Sequence, residues 1–413
     1  MRVLVVSYGA RGSVEPMVGL AVALRGLGAE VRFCAPPDEE FAELLAAVGL
    51  PVVPIGRPVR PMVASVTPGS AAGLAERAAE LIAAQFGTVA EAAEGCEALV
   101  ATGPLPVTAG ARSVAEKLGI PYVHVAHQPV STPSPHQPPP ARRGRPLPPG
   151  ISDNRELWDV DARNANEMFG AAVNAHRAAI GLPPLDNVRD YAFTDRPWLA
   201  TDPTLSPWPS ADADVVQTGA WTRPDVRPLP QGLEAFLDAG TPPVYVGFGS
   251  TPASVLKDVA RVAVEAVRAQ GRRVVVARGW AEVDLIDGGD DDCFAVGEVN
   301  QQALFPRMAA VVHHGSAGTT TTAARAGAPQ VVVPQGADQP YWAERVVDLG
   351  IGAAHEGAAP TVASLSAALK VALAPETRER ASAVAAAVRT DGAEVAARLV
   401  LEAIGREEPP ASA

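Results

Sequence analysis

Residues 310–349 hold two consecutive units of apolar strand, small-residue turn and helix, a pattern that few folds accommodate. In the first unit Ala310-Val311-Val312 is followed by His313-His314-Gly315-Ser316-Ala317-Gly318-Thr319, and residues 319–326 contain neither proline nor glycine and end in helix-favouring alanines. A glycine turn between a buried strand and a helix leaves free amides at the helix N-terminus. Small residues let phosphate oxygens approach those amides, and His314, Ser316 and Thr319 can add hydrogen bonds to a diphosphate without help from a metal. The plain alternative is a helix cap after a buried strand.

The second unit repeats the layout, with Gln330-Val331-Val332-Val333-Pro334 as a buried strand and residues 341–349 as its helix. Pro334-Gln335-Gly336-Ala337-Asp338-Gln339-Pro340 lies between them, so Asp338 and Gln339 stand at the strand's C-terminal edge, where open α/β sheets bind ligands. A carboxylate beside an amide offers complementary acceptors and donors to vicinal sugar hydroxyls, whereas Asp338 alone reads more simply as a helix cap.

The alternation runs through the whole chain. Strands are expected at 3–6, 30–34, 52–53, 98–101 and 122–126, with helices at 16–27, 39–48, 71–93 and 107–118, then strands at 244–249, 273–277 and 294–296 with a helix at 255–269. This predicts an α/β protein of two facing Rossmann-like domains with parallel sheets, at residues 1–218 and 242–376. The proline-rich stretch 219–241 is expected as the linker, and residues 377–413 as a C-terminal helix with a frayed tail. A second proline-dense stretch, 128–150, carries Arg142-Arg143-Gly144-Arg145 and is read as a mobile loop or a solvated connector; its arginines suit a carboxylate-bearing ligand.

Composition removes several function classes. A net charge of −12 without a dense Lys/Arg stripe argues against nucleic acid and anionic membranes as partners. Cys34, Cys96 and Cys293 are too scattered for a disulfide framework or a zinc knuckle. The run Val3 to Val6 is too short for a signal peptide, and no segment is apolar enough to span a bilayer, so the expected location is cytoplasmic and the expected state a monomer. Asp290-Asp291-Asp292 follows Gly288-Gly289 and reads as a solvated turn, so no metal site is expected.

Residues from about Gly247 to Asp348 resemble the donor domain of family 1 glycosyltransferases with the GT-B fold. The resemblance extends over nearly the whole chain toward the bacterial enzymes that glycosylate vancomycin-type glycopeptide antibiotics. It is carried by Met1-Arg2-Val3-Leu4, Cys34-Ala35-Pro36-Pro37-Asp38, Pro133-Ser134-Pro135-His136, Gly181-Leu182-Pro183-Pro184, Gln217-Thr218-Gly219-Ala220-Trp221 and Gly297-Glu298-Val299-Asn300. It implies that residues 377–413 cross back to the first domain and that no cofactor is needed beyond a nucleotide-sugar co-substrate, a UDP-sugar in preference to a TDP-sugar. The donor contacts it implies are Arg11, Ser250, Arg278, Trp280, Val299, His314, Gly315, Ser316, Ala317, Gly318, Thr319, Gln335, Asp338 and Gln339, with Trp280 alternatively a packing residue. On the acceptor side it implies His127, Gln128, Pro135 and His136, with residues 56–73 as a second contact region.

An inverting sugar transfer needs a stabilised leaving diphosphate, an oriented sugar and a base for the acceptor proton. The relatives' first loop reads Gly-Ser-Arg-Gly-Asp with the Asp as the proposed base, but here it is Gly9-Ala10-Arg11-Gly12-Ser13. A serine hydroxyl does not titrate near neutrality, so Ser13 positions a hydroxyl and takes no proton by itself. Asp338, His127 and Glu15 are the alternatives, or a phenolic acceptor that is already acidic at a pKa of ~10. The expected activity is transfer of a hexose, UDP-glucose favoured, to a glycopeptide aglycone. A nucleotide-sugar epimerase of the same fold and a non-catalytic binder remain the alternatives.

Overall fold

A computed structural model of the 413-residue chain describes residues 1–64, 73–142, 145–209, 214–251, 253–279 and 292–407. The chain forms two compact units, the first built from residues 1–201, 208–223 and 390–413 and the second from 202–207 and 224–389.

The first unit holds a seven-stranded sheet of β1 (Arg2–Ser7), β2 (Glu30–Ala35), β3 (Val52–Pro54), β4 (Ala98–Thr102), β5 (Tyr122–Ala126), β6 (Trp198–Leu199) and β7 (Val216–Gln217), in the order β3-β2-β1-β4-β5-β6-β7. In the second unit β8 (Val244–Gly247), β9 (Val274–Ala277), β10 (Cys293–Val296), β11 (Ala310–His313), β12 (Gln330–Val332) and β13 (Gly352–Ala354) take the order β10-β9-β8-β11-β12-β13. Every pairing between these described strands is parallel. Parallel strands need crossover helices that cover both faces, which is why β1, β4, β8 and β11 read as unbroken apolar runs rather than alternating ones. In each sheet the order reverses once, between β1 and β4 and between β8 and β11. A crevice opens at such a reversal beyond the C-terminal strand ends.

Apolar spacing decides what covers the sheets. In the helix Arg11–Gly26, Val14, Met17, Val18, Leu20, Ala21 and Leu24 are buried at helical intervals. The final helix, Gly392–Glu407, lays Ala393, Ala396, Ala397, Val400 and Ile404 into the same core and packs on Arg11–Gly26. Gly219 and Gly392 let the start of that final helix lie directly on residues 219–220: a Cβ on Gly392 would meet the Ala220 carbonyl oxygen at 2.5 Å.

Three segments differ from the sequence reading. The expected helix over residues 71–93 consists of Leu74–Ala84, a π-helical turn Gln85–Val89 and Ala90–Ala93, with residues 71 and 72 outside the described residues. The turn carries buried Gln85 against Gly110, where a Cβ would meet Gln85 Cγ at 2.6 Å. The proline-rich stretch 219–241 contains the helix Gln231–Asp238, whose Leu233 and Leu237 enter the second core. Its prolines all precede the helix, where a missing N–H costs nothing. The C-terminal helical stretch is two helices, Pro375–Ala385 and Gly392–Glu407, and the chain rejoins the first unit at Thr390.

Candidate functional site

At the reversal in the second sheet, β8 and β11 are paired with His313 opposite Gly247, so the loops that follow them leave side by side. Gly249 takes a left-handed φ of +55°, and a Cβ there would sit 3.0 Å from His314 Cε1. Gly279, after β9, has φ +54° and would meet the Gly249 carbonyl oxygen at 2.6 Å if it carried a Cβ. Only glycine permits both the conformation and the approach. The loops bearing Ser250, Arg278 and His314 are thereby drawn together. Arg278 is exposed, and Val299 beyond β10 is partly buried. Trp280 lies outside the described residues.

Ser316 caps the helix Ala317–Arg325: its Oγ accepts from the Thr319 amide at 3.4 Å and donates to Thr319 Oγ1 at 3.1 Å. The two histidines before it differ in their work. His313 is fully buried; its Nδ1 accepts the Gly315 N–H at 3.1 Å, which leaves Nε2–H to donate to Gln330 Oε1 at 2.9 Å. Gln330 in turn donates to the Thr320 carbonyl at 3.3 Å, so His313 is a structural brace for the turn. His314 is buried with no hydrogen-bond partner at Nδ1. Burial lowers its pKa to about 4, which keeps it neutral. The free amides, the two hydroxyls and a neutral imidazole form a set suited to a diphosphate.

Beyond β12 the residues Gln335, Asp338 and Gln339 are oriented by the protein itself. Gln335 Nε2 donates to the carbonyls of Val333 and Ala358, both at 3.2 Å. Gln339 Oε1 accepts the Gln335 amide at 2.6 Å, which leaves its NH2 group as a donor. Asp338 Oδ2 accepts from Trp342 Nε1 at 3.0 Å. Burial raises the Asp338 pKa, opposed by its hydrogen bonds to its own backbone amide and to Trp342. Sequence reasoning missed Trp342, although its spacing of four from Asp338 on one helix was visible.

In the first unit, Ser13 is the third residue of the helix Arg11–Gly26, and no carboxylate lies in that helix's first turn. Its carbonyl accepts from Ser7 Oγ at 3.0 Å, which ties the helix start to the end of β1. Glu15 is paired with Arg11 at 2.9 Å. His127 follows β5 and is buried edge-on to Trp221, with ring centroids 5.9 Å apart and neither nitrogen hydrogen-bonded. Burial lowers its pKa to about 4, so it is a neutral, weakly basic imidazole. Gln128 and Pro135 are half-buried and His136 is exposed; the Pro135 carbonyl accepts from Asn154 at 2.9 Å.

Two arginines of the proline-dense stretch find carboxylates within the chain itself. Arg142 makes a two-pronged bond to buried Asp161, at 2.6 and 2.9 Å, and Arg145 pairs with Glu167 and with Asn164. Both bind the helical segment 154–170, and at Asp161, which is buried, an unpaired carboxylate would be costly. Arg143 lies outside the described residues, as do 65–72 of the second expected contact region, whose residues Val59–Ala64 are helical. Asp292 likewise holds Arg268, at 2.8 and 3.0 Å.

Comparison with known proteins gives the chain's family and fold. Residues 260–401 match the family model for the C-terminal domain of erythromycin biosynthesis protein CIII-like proteins. The chain is 56% identical to the glycosyltransferase GtfE of Amycolatopsis orientalis over 99% of both chains. It is 54% identical to the vancomycin aglycone glucosyltransferase of the same organism over the full length of both. The dTDP-epi-vancosaminyltransferase of that organism is 50% identical over 99% of both. Among solved structures, the glycosyltransferase VinC in complex with DTDP has the same fold, with a TM-score of 0.70 at 21% identity over 98% of this chain and 100% of that one.

Proposed function

The chain belongs to the family 1 glycosyltransferases of the GT-B fold, among the relatives of the vancomycin-group enzymes, and from that premise we propose that it transfers glucose from UDP-glucose, with inversion, to a phenol of a glycopeptide aglycone. The observation that carries this reading is the 54% identity, across the full length of both chains, to an enzyme named for aglycone glucosyl transfer, above the 50% shared with one named for a dTDP-sugar.

In this reading the diphosphate lies at the N-terminus of Ala317–Arg325, where Ser316, Thr319, His314 and Ser250 stabilise the charge it gains on leaving. Asp338 and Gln339 hold the sugar hydroxyls and so fix the anomeric carbon toward the acceptor. The phenolic oxygen forms the new bond at that carbon as the bond to the diphosphate breaks on the opposite face. Its proton passes to solvent, because Ser13 has no basic group and His127 is a weak base. A phenol with a pKa of ~10 makes that step feasible, and Ser13 and His127 orient the acceptor hydroxyl.

The test is mass-detected turnover of a vancomycin-type aglycone with UDP-glucose, with TDP-glucose alongside. Hexose added from UDP-glucose, with release of UDP, is the expected result. Addition from TDP-glucose alone would reassign the nucleotide. Ser13 favours one second reading, a binder that has lost its base. Nucleotide-sugar binding without transfer to any phenolic aglycone would support it, and interconversion of the sugar without an acceptor would indicate an epimerase.

A further inference from the structure

We infer that Trp342 is a positioning residue for sugar recognition, its indole N–H holding one oxygen of the Asp338 carboxylate so that the other is presented to a hydroxyl of the donor sugar. The inference deepens, and rests on, the assignment of Asp338 as a sugar contact.

Asp338 stands at the N-cap of the helix Gln339–Asp348, a place where aspartate ordinarily accepts an amide from the first turn. Here its side chain makes no capping bond, and Pro340 removes one of the amides that could supply it. The carboxylate instead reaches along the helix to Trp342 Nε1, at 3.0 Å. Trp342 is 1% exposed and packed with Leu205, Val332, Ala343 and Val346, so its N–H points in one fixed direction. A buried indole N–H needs a partner, and Asp338 Oδ2 is its partner here. The turn before Asp338 is strained: Ala337 has φ +54°, a left-handed conformation that is uncommon outside glycine. Two neighbouring amides are fixed in the same manner. Gln335 is held by two carbonyls, and Gln339 is turned so that its oxygen is occupied and its NH2 group is free. The loop thus offers an acceptor at Asp338 and a donor at Gln339, each oriented before a sugar arrives, which lowers the entropic cost of binding.

A double-mutant cycle on the full chain separates this role from ordinary packing, because a residue that acts through another loses its effect when that other is removed. Affinities for UDP-glucose and for UDP are measured by calorimetry for wild type, Trp342→Phe, Asp338→Ala and the double variant, with TDP-glucose and TDP in parallel. Trp342→Phe is expected to weaken nucleotide-sugar binding about tenfold, the scale of one hydrogen bond to a charged group, and to leave nucleotide binding within about twofold. In the Asp338→Ala background the same change is expected to alter neither affinity by more than about twofold. Additive losses, or equal losses for UDP and UDP-glucose, would overturn the inference while leaving Asp338 as a sugar contact. An Asp338→Ala variant that binds sugar nucleotide as well as wild type removes the assignment of Asp338 itself. Asp338→Asn supplies a check that does not depend on the indole being replaceable. With its oxygen held by Trp342, the asparagine presents an NH2 group where an acceptor is needed and loses as much affinity as alanine; retention of most of the affinity would count against the positioning role.

Discussion

Ser13 stands where the family resemblance implies an aspartate, and its surroundings set what a substitution there would do. It occupies the first turn of Arg11–Gly26, whose amides and dipole favour a carboxylate by about 0.3–1 kcal/mol. An aspartate is therefore tolerated locally, and it would supply the base that serine cannot. A positioned general base contributes roughly a hundredfold or more. Ser13→Asp is expected to raise kcat on a phenolic aglycone at least about tenfold, whereas Ser13→Ala, which loses one orienting hydrogen bond, should slow it by no more than about tenfold. Steady-state rates for the three proteins decide it. A Ser13→Ala variant slowed by more than about thirtyfold would mean that the hydroxyl takes part in proton removal, contrary to the weak-base reading.

At the scale of single elements, the legible parts were those set by neighbours in sequence. The turns after β8, β11 and β12 follow from apolar runs meeting glycine, and Ser316 and Thr319 were visible as helix-start residues three apart. Groups fixed by distant partners were not. Arg142 reads as a cation suited to a carboxylate-bearing ligand because Asp161 stands nineteen residues away on another element, and nothing in the local composition reveals that pairing. The division of labour between His313 and His314 was hidden for the same reason, since it depends on Gln330 from the adjacent strand. The pairing at Arg142 makes a prediction of its own. Asp161 is 4% exposed, and its second cation, Arg189, lies at 3.7 Å. Arg142→Ala leaves a buried charge half-compensated, so stability should fall by about 2–4 kcal/mol while the KM for the aglycone stays within about threefold. Denaturant melts and aglycone titrations measure the two quantities. A large rise in KM with unchanged stability would instead return Arg142 to an acceptor-binding role.

Across the whole molecule, four buried histidines link folding to pH. His124 and His127 lie in the first unit and His313 and His314 in the second, and burial lowers their pKa values to about 3 or 4. The unfolded chain takes up a proton at each of these near pH 6.5, whereas the folded chain does not until the pH approaches 4. Unfolding therefore binds protons throughout that window. The stability these groups contribute is present above about pH 6.5 and is lost as the pH falls toward 4, at up to about 1.4 kcal/mol per pH unit for each histidine. Asp338 acts in the opposite sense: burial raises its pKa, so the stability it contributes is present below the unfolded carboxylate range and lost as the pH rises through its folded value. One group of that sign cannot offset four. Urea midpoints are expected to fall steadily between pH 7 and pH 5 in both units, well before the carboxylate range is reached. His124→Phe tests the assignment directly. His124 packs against Phe193 with ring centroids 4.8 Å apart and leaves Nδ1 without a hydrogen-bond partner, so phenylalanine keeps the ring contact while removing the titrating group. The first unit of that variant should take up about one proton fewer on unfolding at pH 5, measured from the slope of stability against pH. An unchanged slope would mean that His124 does not hold its proton differently in the folded and unfolded chain, and the acid sensitivity would then belong to other groups.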